Sequence, residues 1–274
     1  HCGRPKPSDT QVAHIVEKCK QDPEFFIFEG FARTFDEHAD PDSRVKGFPD
    51  KSYLRRVIRF WHEDDPDHPV RANVKSRQIM FSWLACAYGV WEAHFHDFSR
   101  VMVQSRRAED AWSFVYKRDW VHGRCGFIER ALPMELRAAG LTGTRGSLNY
   151  PWGSEIWGIP EGGDVPRSHT ATLFICDEAA FQPAFKDAYA AVLPMAKKII
   201  VLSTALGGSF FGDLVEQTER LGGQVFRGGN HRQHHGPVPR QRGQKIHHGP
   251  IAAIHQEGMV PMIDNHRMGD PFHF

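Results

Sequence analysis

Three short stretches carry side chains that could bind and cleave a phosphoanhydride. The first is Lys75-Ser76-Arg77-Gln78-Ile79-Met80-Phe81-Ser82. A phosphate-binding loop needs backbone N–H groups and a helix N-terminus aimed at the anion, a cation on the phosphates, and a hydroxyl for Mg²⁺ in the first helical turn. Lys75 and Arg77 supply cations, and Ser82 is spaced for the hydroxyl. The GxxxxGK[ST] pattern is absent: Met80 stands where Gly would ease close approach, and Phe81 stands directly before the hydroxyl residue, where Lys would sit. Alone, this stretch reads more simply as a basic turn before a core helix. The second stretch, Thr172 to Cys176 followed by Asp177 and Glu178, is an apolar run ending in paired acids. Such a strand sets both carboxylates at the rim of a site. Asp177 suits the Mg²⁺ shell and Glu178 suits polarising a water. The third, Ile199 to Leu202 followed by Ser203 and Thr204, ends a strand in two hydroxyls that could sense a γ-phosphate; an ordinary strand end before a Gly turn reads equally well.

These residues need a scaffold that gathers strand ends. Val70 to Lys75 reads as a short strand and Ser82 to Phe95 as a buried helix. Arg100 to Gln104 reads as a strand, followed by a helix from Ala108 to Trp120. Ser154 to Ile159 is a short strand. Thr172 to Cys176 and Ile199 to Ser203 are apolar throughout, with a helix near Ala184 to Leu193 between them. Strands that are apolar along their whole length and alternate with helices imply an α/β fold with a mainly parallel central sheet covered on both faces. In such sheets ligands gather at the carboxyl ends of the strands, and all three stretches lie there.

Composition agrees. The chain has 274 residues, 41% hydrophobic and 24% charged, with 34 basic against 33 acidic side chains. That is globular composition, and it excludes a histone-like polycation while leaving room for a local basic groove. The longest apolar-type run, Trp83 to Trp91, is far short of the about 20 residues a membrane-spanning helix needs. No signal peptide opens the chain, and His1 in place of Met suggests a fragment or a trimmed product. The five cysteines are scattered without a CxxC pair, which fits a reducing compartment better than a disulfide scaffold.

With the three stretches in this order, the chain resembles the N-terminal ATPase domain of a tailed-bacteriophage terminase large subunit, a P-loop NTPase that packages DNA. The likeness rests on KSRQIMFSW (75–83), VMVQSRRAEDA (101–111), GSEIWGIPEGGDVPRSHTATLFICDEAAF (153–181) and IIVLSTALGGSFF (199–211). An aromatic segment upstream, PEFFIF (23–28), suits the adenine-side region, where Phe48 and Tyr53 also fall. The resemblance implies ATP and Mg²⁺ as cofactors. It implies nucleotide contacts from Lys75, Ser76, Arg77, Gln78, Ile79, Met80, Phe81, Ser82 and Gln104, with Lys75 and Arg77 catalytic on the phosphates. It further implies metal binding by Ser82 and Asp177, catalysis by Glu178, and coupling of hydrolysis to motion by Ser203 and Thr204. The implied partners are double-stranded DNA, the portal protein and the small terminase subunit, in a homo-oligomeric ring at the procapsid portal in the host cytoplasm and with no membrane. A helicase-like DNA translocase, or a catalytically dead remnant acting only in assembly, are the alternatives.

Three segments are expected: 1–68 as a helical, adenine-side region, 69–220 as the ATPase core, and 221–274 as an irregular tail. The tail holds 8 of the 17 histidines, with 6 basic and 3 acidic residues. His231, His234, His235, His247 and His248 match no structural zinc spacing. Asp264 and Asp270 make no nuclease site, so no nuclease activity is expected. Arg55, Arg56 and Arg59 read as a solvated helix face or an adenosine-side contact. His94 and His96 read as surface groups, and Arg106 or Arg107 as a candidate arginine finger acting in cis.

Overall fold

The computed structural model describes residues 8–76, 79–120, 122–162, 164, 169–204 and 206–228. Arg77, Gln78 and the histidines and acids of the expected tail lie outside these residues.

The chain opens with α1 (Asp9–Gln21) and α2 (Pro23–Phe28). Ser8 caps α1 through a reciprocal pair with Gln11, and Asp22 caps α2 through the N–H groups of Glu24 and Phe25. A small antiparallel hairpin follows, β1 (Arg33–Phe35) with β2 (Val45–Gly47), and then α3 (Ser52–His62). Next come β3 (Val70–Lys75), α4 (Phe81–Phe95), β4 (Arg100–Ser105), α5 (Ala108–Phe114) and α6 (Arg124–Ala131). β5 (Thr142–Thr144), β6 (Ser147–Asn149), β7 (Glu155–Pro160) and β8 (Ala171–Asp177) precede α7 (Phe185–Val192). β9 (Ala196–Ser203), α8 (Phe210–Arg220) and β10 (Val225–Gly228) complete the order.

Eight strands form one sheet in the order β10-β3-β9-β8-β4-β7-β6-β5. The pairs from β10 across to β7 are parallel, and β6 and β5 add an antiparallel edge. Alternate residues of the central strands feed opposite faces, as the two-residue period of a strand requires. Val101, Val103, Leu173, Ile175, Ile200 and Leu202 pack with α4 and the N-terminal helices. Met102, Phe174, Ile199 and Val201 pack with α7 and α8. Both faces are therefore covered, which is why β8 and β9 read as unbroken apolar runs.

The N-terminal helices share the core of α4. The Trp91 indole donates to the Cys19 carbonyl at 2.7 Å, and Phe26 meets Phe95 edge to face. Phe25, Phe26, Ile27 and Phe28 are all buried, so the aromatic segment expected beside an adenine is spent on packing. Arg55, Arg56 and Arg59 do not line the cleft described below; Arg56 and Arg59 are exposed, as a solvated helix face requires, and Arg55 and Arg59 grip Glu24 of α2, at 2.8 and 2.6 Å. His94 corrects a second expectation. Its side chain is buried and bonds Glu129 at 2.9 Å, and the Tyr150 hydroxyl donates to the same carboxylate oxygen at 2.7 Å.

Two boundaries differ from expectation. The helix from Ala108 stops at Phe114: the Val115 N–H still closes the last turn on Ala111 and Trp112, but its carbonyl accepts the Gly126 N–H at the start of α6. Val225–Gly228, expected within the irregular tail, instead pair with Ala72–Lys75 as a parallel edge strand.

Candidate active site

The carboxyl ends of β3, β9, β8 and β4 lie side by side, and each ends in a polar residue: Lys75, Ser203, Asp177 and Ser105. α4 begins at Phe81 and carries Ser82 in its first turn. Above these ends opens a cleft of about 1910 Å³, walled by the β1–β2 hairpin on one side and by α5 and the start of α6 on the other. This exceeds the about 300–1,000 Å³ of an ordinary small-molecule pocket.

At its floor, residues 102 positions apart in sequence meet. The Lys75 ammonium donates to Asp177 Oδ1 at 2.6 Å and to Ser82 Oγ at 3.3 Å, and lies 3.2 Å from Glu178 Oε1. The Ser82 hydroxyl donates to Asp177 Oδ2 at 2.6 Å. Lys75 and Asp177 are almost fully buried, with side chains 8% and 5% exposed, whereas Glu178 is 44% exposed. One buried carboxylate thus has a cation on one oxygen and a hydroxyl on the other, while the second carboxylate faces the opening.

Mg²⁺ commonly takes one or two carboxylates, phosphate oxygens and several waters. The Asp177 carboxylate and the Ser82 hydroxyl fit that donor set. Among the described residues no group of three His, Cys, Asp or Glu gathers around a common point. The chemistry therefore suits a cation that arrives with phosphate oxygens, not one held in an all-protein cage.

The backbone shows how the sequence meets these demands. Met80 is the N-cap of α4 and adopts φ 66°, ψ 4°. A left-handed residue turns the chain sharply into the helix, which explains why Gly is the natural occupant there. Met80 lines the cleft with Ile79, Phe81 and Ser76. Ser76 donates its N–H to the carbonyl of Gly228 at 3.0 Å, so the loop starts from a paired strand end. Glu178 is also left-handed, at φ 55°, ψ 39°, and opens a short 3-10 turn over Ala179–Phe181.

The third stretch divides. Thr204 lines the cleft, but Ser203 is fully buried and its Oγ accepts the Ala180 N–H at 3.0 Å. Ser203 therefore ties β9 to the turn behind Glu178. Gln104 departs from expectation: it does not line the cleft. Its side chain is completely buried, and Nε2 donates to Gln182 Oε1 at 2.8 Å. Arg106 lines the cleft, and Arg107 occupies the N-cap position of α5 without a side-chain capping bond.

Arg124 was not signalled by the sequence. Its guanidinium lies 4.5 Å from the Phe114 ring centroid and 5.7 Å from that of Trp83, at the cleft wall. Cation–π contacts of this kind hold an arginine without a carboxylate. Only the tertiary meeting of α4, α5 and α6 creates it, and no local spacing announces it.

No protein-family model matches the sequence, nor does any curated protein sequence. Solved structures do resemble it. The HK97 bacteriophage large terminase superposes with a TM-score of 0.58 at 9% identity, over 80% of this chain and 45% of that one. The chain thus spans less than half the length of that relative. Weaker likenesses are to the ATPase domain of the Thermus phage P74-26 large terminase (TM-score 0.46, 15% identity, 82% of this chain and 86% of that one) and to the large terminase of a thermophilic bacteriophage (TM-score 0.49, 13% identity, 65% and 45%). The parallel sheet and the strand ends that gather Lys75, Ser82 and Asp177 thus belong to a chain with the fold of the matching part of the HK97 large terminase.

Proposed function

We propose that this chain is the ATP-hydrolysing motor domain of a tailed-phage terminase large subunit and drives double-stranded DNA into the procapsid. The observation that carries the reading is the convergence of Lys75, Ser82, Asp177 and Glu178 at the carboxyl ends of β3 and β8, on a terminase-like fold. In this reading the loop 75–82 wraps the phosphates of ATP. The contacts expected of Arg77 and Gln78 lie outside the described residues, so the assignment leans on Lys75 and Ser82. Asp177 and Ser82 would hold Mg²⁺, which neutralises phosphate charge when bound. Lys75 leaves its bond to Asp177 for the phosphates and stabilises charge that spreads over the transferring phosphoryl oxygens. Glu178, the exposed member of the acid pair, orients a water in line with the γ-phosphate. Ser203 and Thr204 pass the change onward from β9.

The partners follow from the same reading. They are the portal protein, the small terminase subunit, other copies in a ring, and DNA gripped through its phosphates, all at the procapsid in the host cytoplasm. Such a grip is independent of sequence and weakens with salt.

The test is calorimetry of Mg-ATP binding to this chain and to Lys75→Ala and Asp177→Ala, each shown to be folded. Micromolar binding that both substitutions weaken at least tenfold is expected. A folded parent chain that binds no Mg-ATP sinks the proposal. Met80 gives a second reading its footing: a long side chain lining the cleft at a glycine-like position. In that reading the chain is an assembly module without hydrolysis, and Met80→Gly restores binding.

A further inference from the structure

The acid pair differs in how its two members are held. Asp177 is the last residue of β8, registered against Leu202 of β9, and its carboxylate is fixed by Lys75 and Ser82. Glu178 lies beyond the ladder, in a left-handed conformation unfavourable to a residue with a Cβ. Such a conformation persists only where its surroundings over-determine it.

The surroundings here are two clamps. On the β9 side, Ser203 Oγ accepts the Ala180 N–H. On the other side stands Gln182, which is 4% exposed. Its Nε2 donates to the Asp177 carbonyl at 2.7 Å, closing the chain back onto the residue before Glu178. Its Oε1 accepts from Gln104 Nε2 at 2.8 Å. Gln104 follows the apolar residues Val101–Val103 as the penultimate residue of β4, and its bond to Gln182 Oε1 fixes which way the Gln182 amide points. Both amides also approach Cys176 Sγ, at 3.3 and 3.9 Å, and burial raises the Cys176 thiol well above its ordinary value, keeping it a neutral thiol. Gln104 Oε1 is buried with no partner among the described residues. The network thus keeps a buried acceptor unsatisfied while keeping the Gln182 N–H on Asp177. An unpaired buried oxygen is costly, so this orientation is set by the bond to Gln182 and not by the comfort of Gln104.

We infer that Gln182 is a positioning residue for Glu178: its amide, oriented by Gln104, holds the turn that aims the exposed carboxylate into the cleft. The inference rests on the hydrolytic reading above. Its signature is a split. Substrate and metal contacts come from Lys75, Ser82 and Asp177; Lys75 sits in the β3 ladder, Ser82 in the first turn of α4, and Asp177 keeps its β8–β9 pairing and its bonds to Lys75 and Ser82 besides the one to Gln182. Loss of the Gln182 amide should therefore leave Mg-ATP binding in place and slow the chemical step.

The test uses the full chain. Gln182→Leu should lower kcat for ATP hydrolysis about 10–100-fold, the scale of a misplacement near 1 Å, with KM within about threefold. Gln182→Glu supplies rescue. A protonated carboxyl has one donor and one acceptor and can copy the amide's two bonds, whereas its anion cannot donate. Its kcat should recover toward the parent as pH falls, while Gln182→Leu shows no such gain. Equal loss in kcat and binding, or unchanged kcat in both variants, overturns the inference. Glu178→Gln measured alongside shows whether hydrolysis depends on Glu178 at all. If the parent proves inactive, amide hydrogen exchange decides. The Ala180 and Phe181 N–H groups should exchange at least about tenfold faster in Gln182→Leu than in the parent, with the N–H groups of β8 unchanged; equal exchange at the turn overturns the inference.

Discussion

Lys75 and Asp177 form an ion pair with little access to water, and Glu178 adds a second, more exposed carboxylate 3.2 Å from the same ammonium. Burying charge is costly unless it is paired, and removing one partner leaves the other uncompensated, at about 3–5 kcal/mol. The two single substitutions should not be equivalent. Asp177→Ala leaves Lys75 with Glu178 as a remaining partner, whereas Lys75→Met leaves two carboxylates together without a cation. Urea denaturation without nucleotide should therefore show Lys75→Met as the more destabilised. The double variant Lys75→Met with Asp177→Leu should recover at least half of that loss; a double variant as unstable as the sum of the two singles would contradict this account. That these side chains would meet was legible in the sequence, because a cation, a hydroxyl and paired acids each stood at a strand or helix boundary. The burial of Ser203 and Gln104 was not legible, because residue type at a strand end does not say which way the side chain turns. Gln104 turns inward toward Gln182, a partner 78 residues away.

The long elements were legible because their apolar patterns are long. β8 and β9 are covered on both faces, and α4 has apolar residues all round, so each reads as a continuous run. The hairpin β1–β2, the pair β5–β6 and the four-residue β10 are too short for any period to emerge. The stop of α5 at Phe114 is a tertiary event. Val115 and Tyr116 carry no breaker, but their backbone is claimed by Gly126 and Gly146. β7 shows a similar constraint from the other side. A Cβ at Gly158 would lie 2.6 Å from the Ala111 carbonyl oxygen, so α5 can rest on β7 only over a glycine. Gly158→Ala should cost about 1–3 kcal/mol of stability, as overpacking against fixed backbone does, seen as a lower urea midpoint with an unchanged m-value. A midpoint equal to the parent's would mean that α5 is free to lift.

For the molecule as a whole, the least comfortable charge among these elements is Lys198. It lies at the opposite end of β9 from the site, half-buried, with its ammonium near the His62 carbonyl and the Tyr88 hydroxyl. Burial, reinforced by Arg71, lowers its pKa from 10.5 to about 8. The unfolded chain therefore binds the proton more tightly than the folded one. The linkage sign follows: stability contributed by this group rises with pH between about 8 and 10.5, and the penalty is fully present below that window. Denaturation midpoints should climb less across this range in Lys198→Met than in the parent, and parallel curves would remove Lys198 as the cause.

The edge strand β10 has a mechanical consequence. Its final residue, Gly228, aligns with Lys75, and its carbonyl holds the N–H of Ser76. A Cβ on Gly228 would come within 2.9 Å of the Phe81 ring, so the strand end is seated against the first residue of α4. Gly228 therefore ends the described part of β10 beside Ser76, where the loop that precedes α4 begins. Tension applied at Gly228 loads the β10–β3 ladder in shear, with the Ser76 bond as its terminal rung. Force and the geometry of the loop before α4 meet at one peptide group: a pull at Gly228 would be felt first at Ser76.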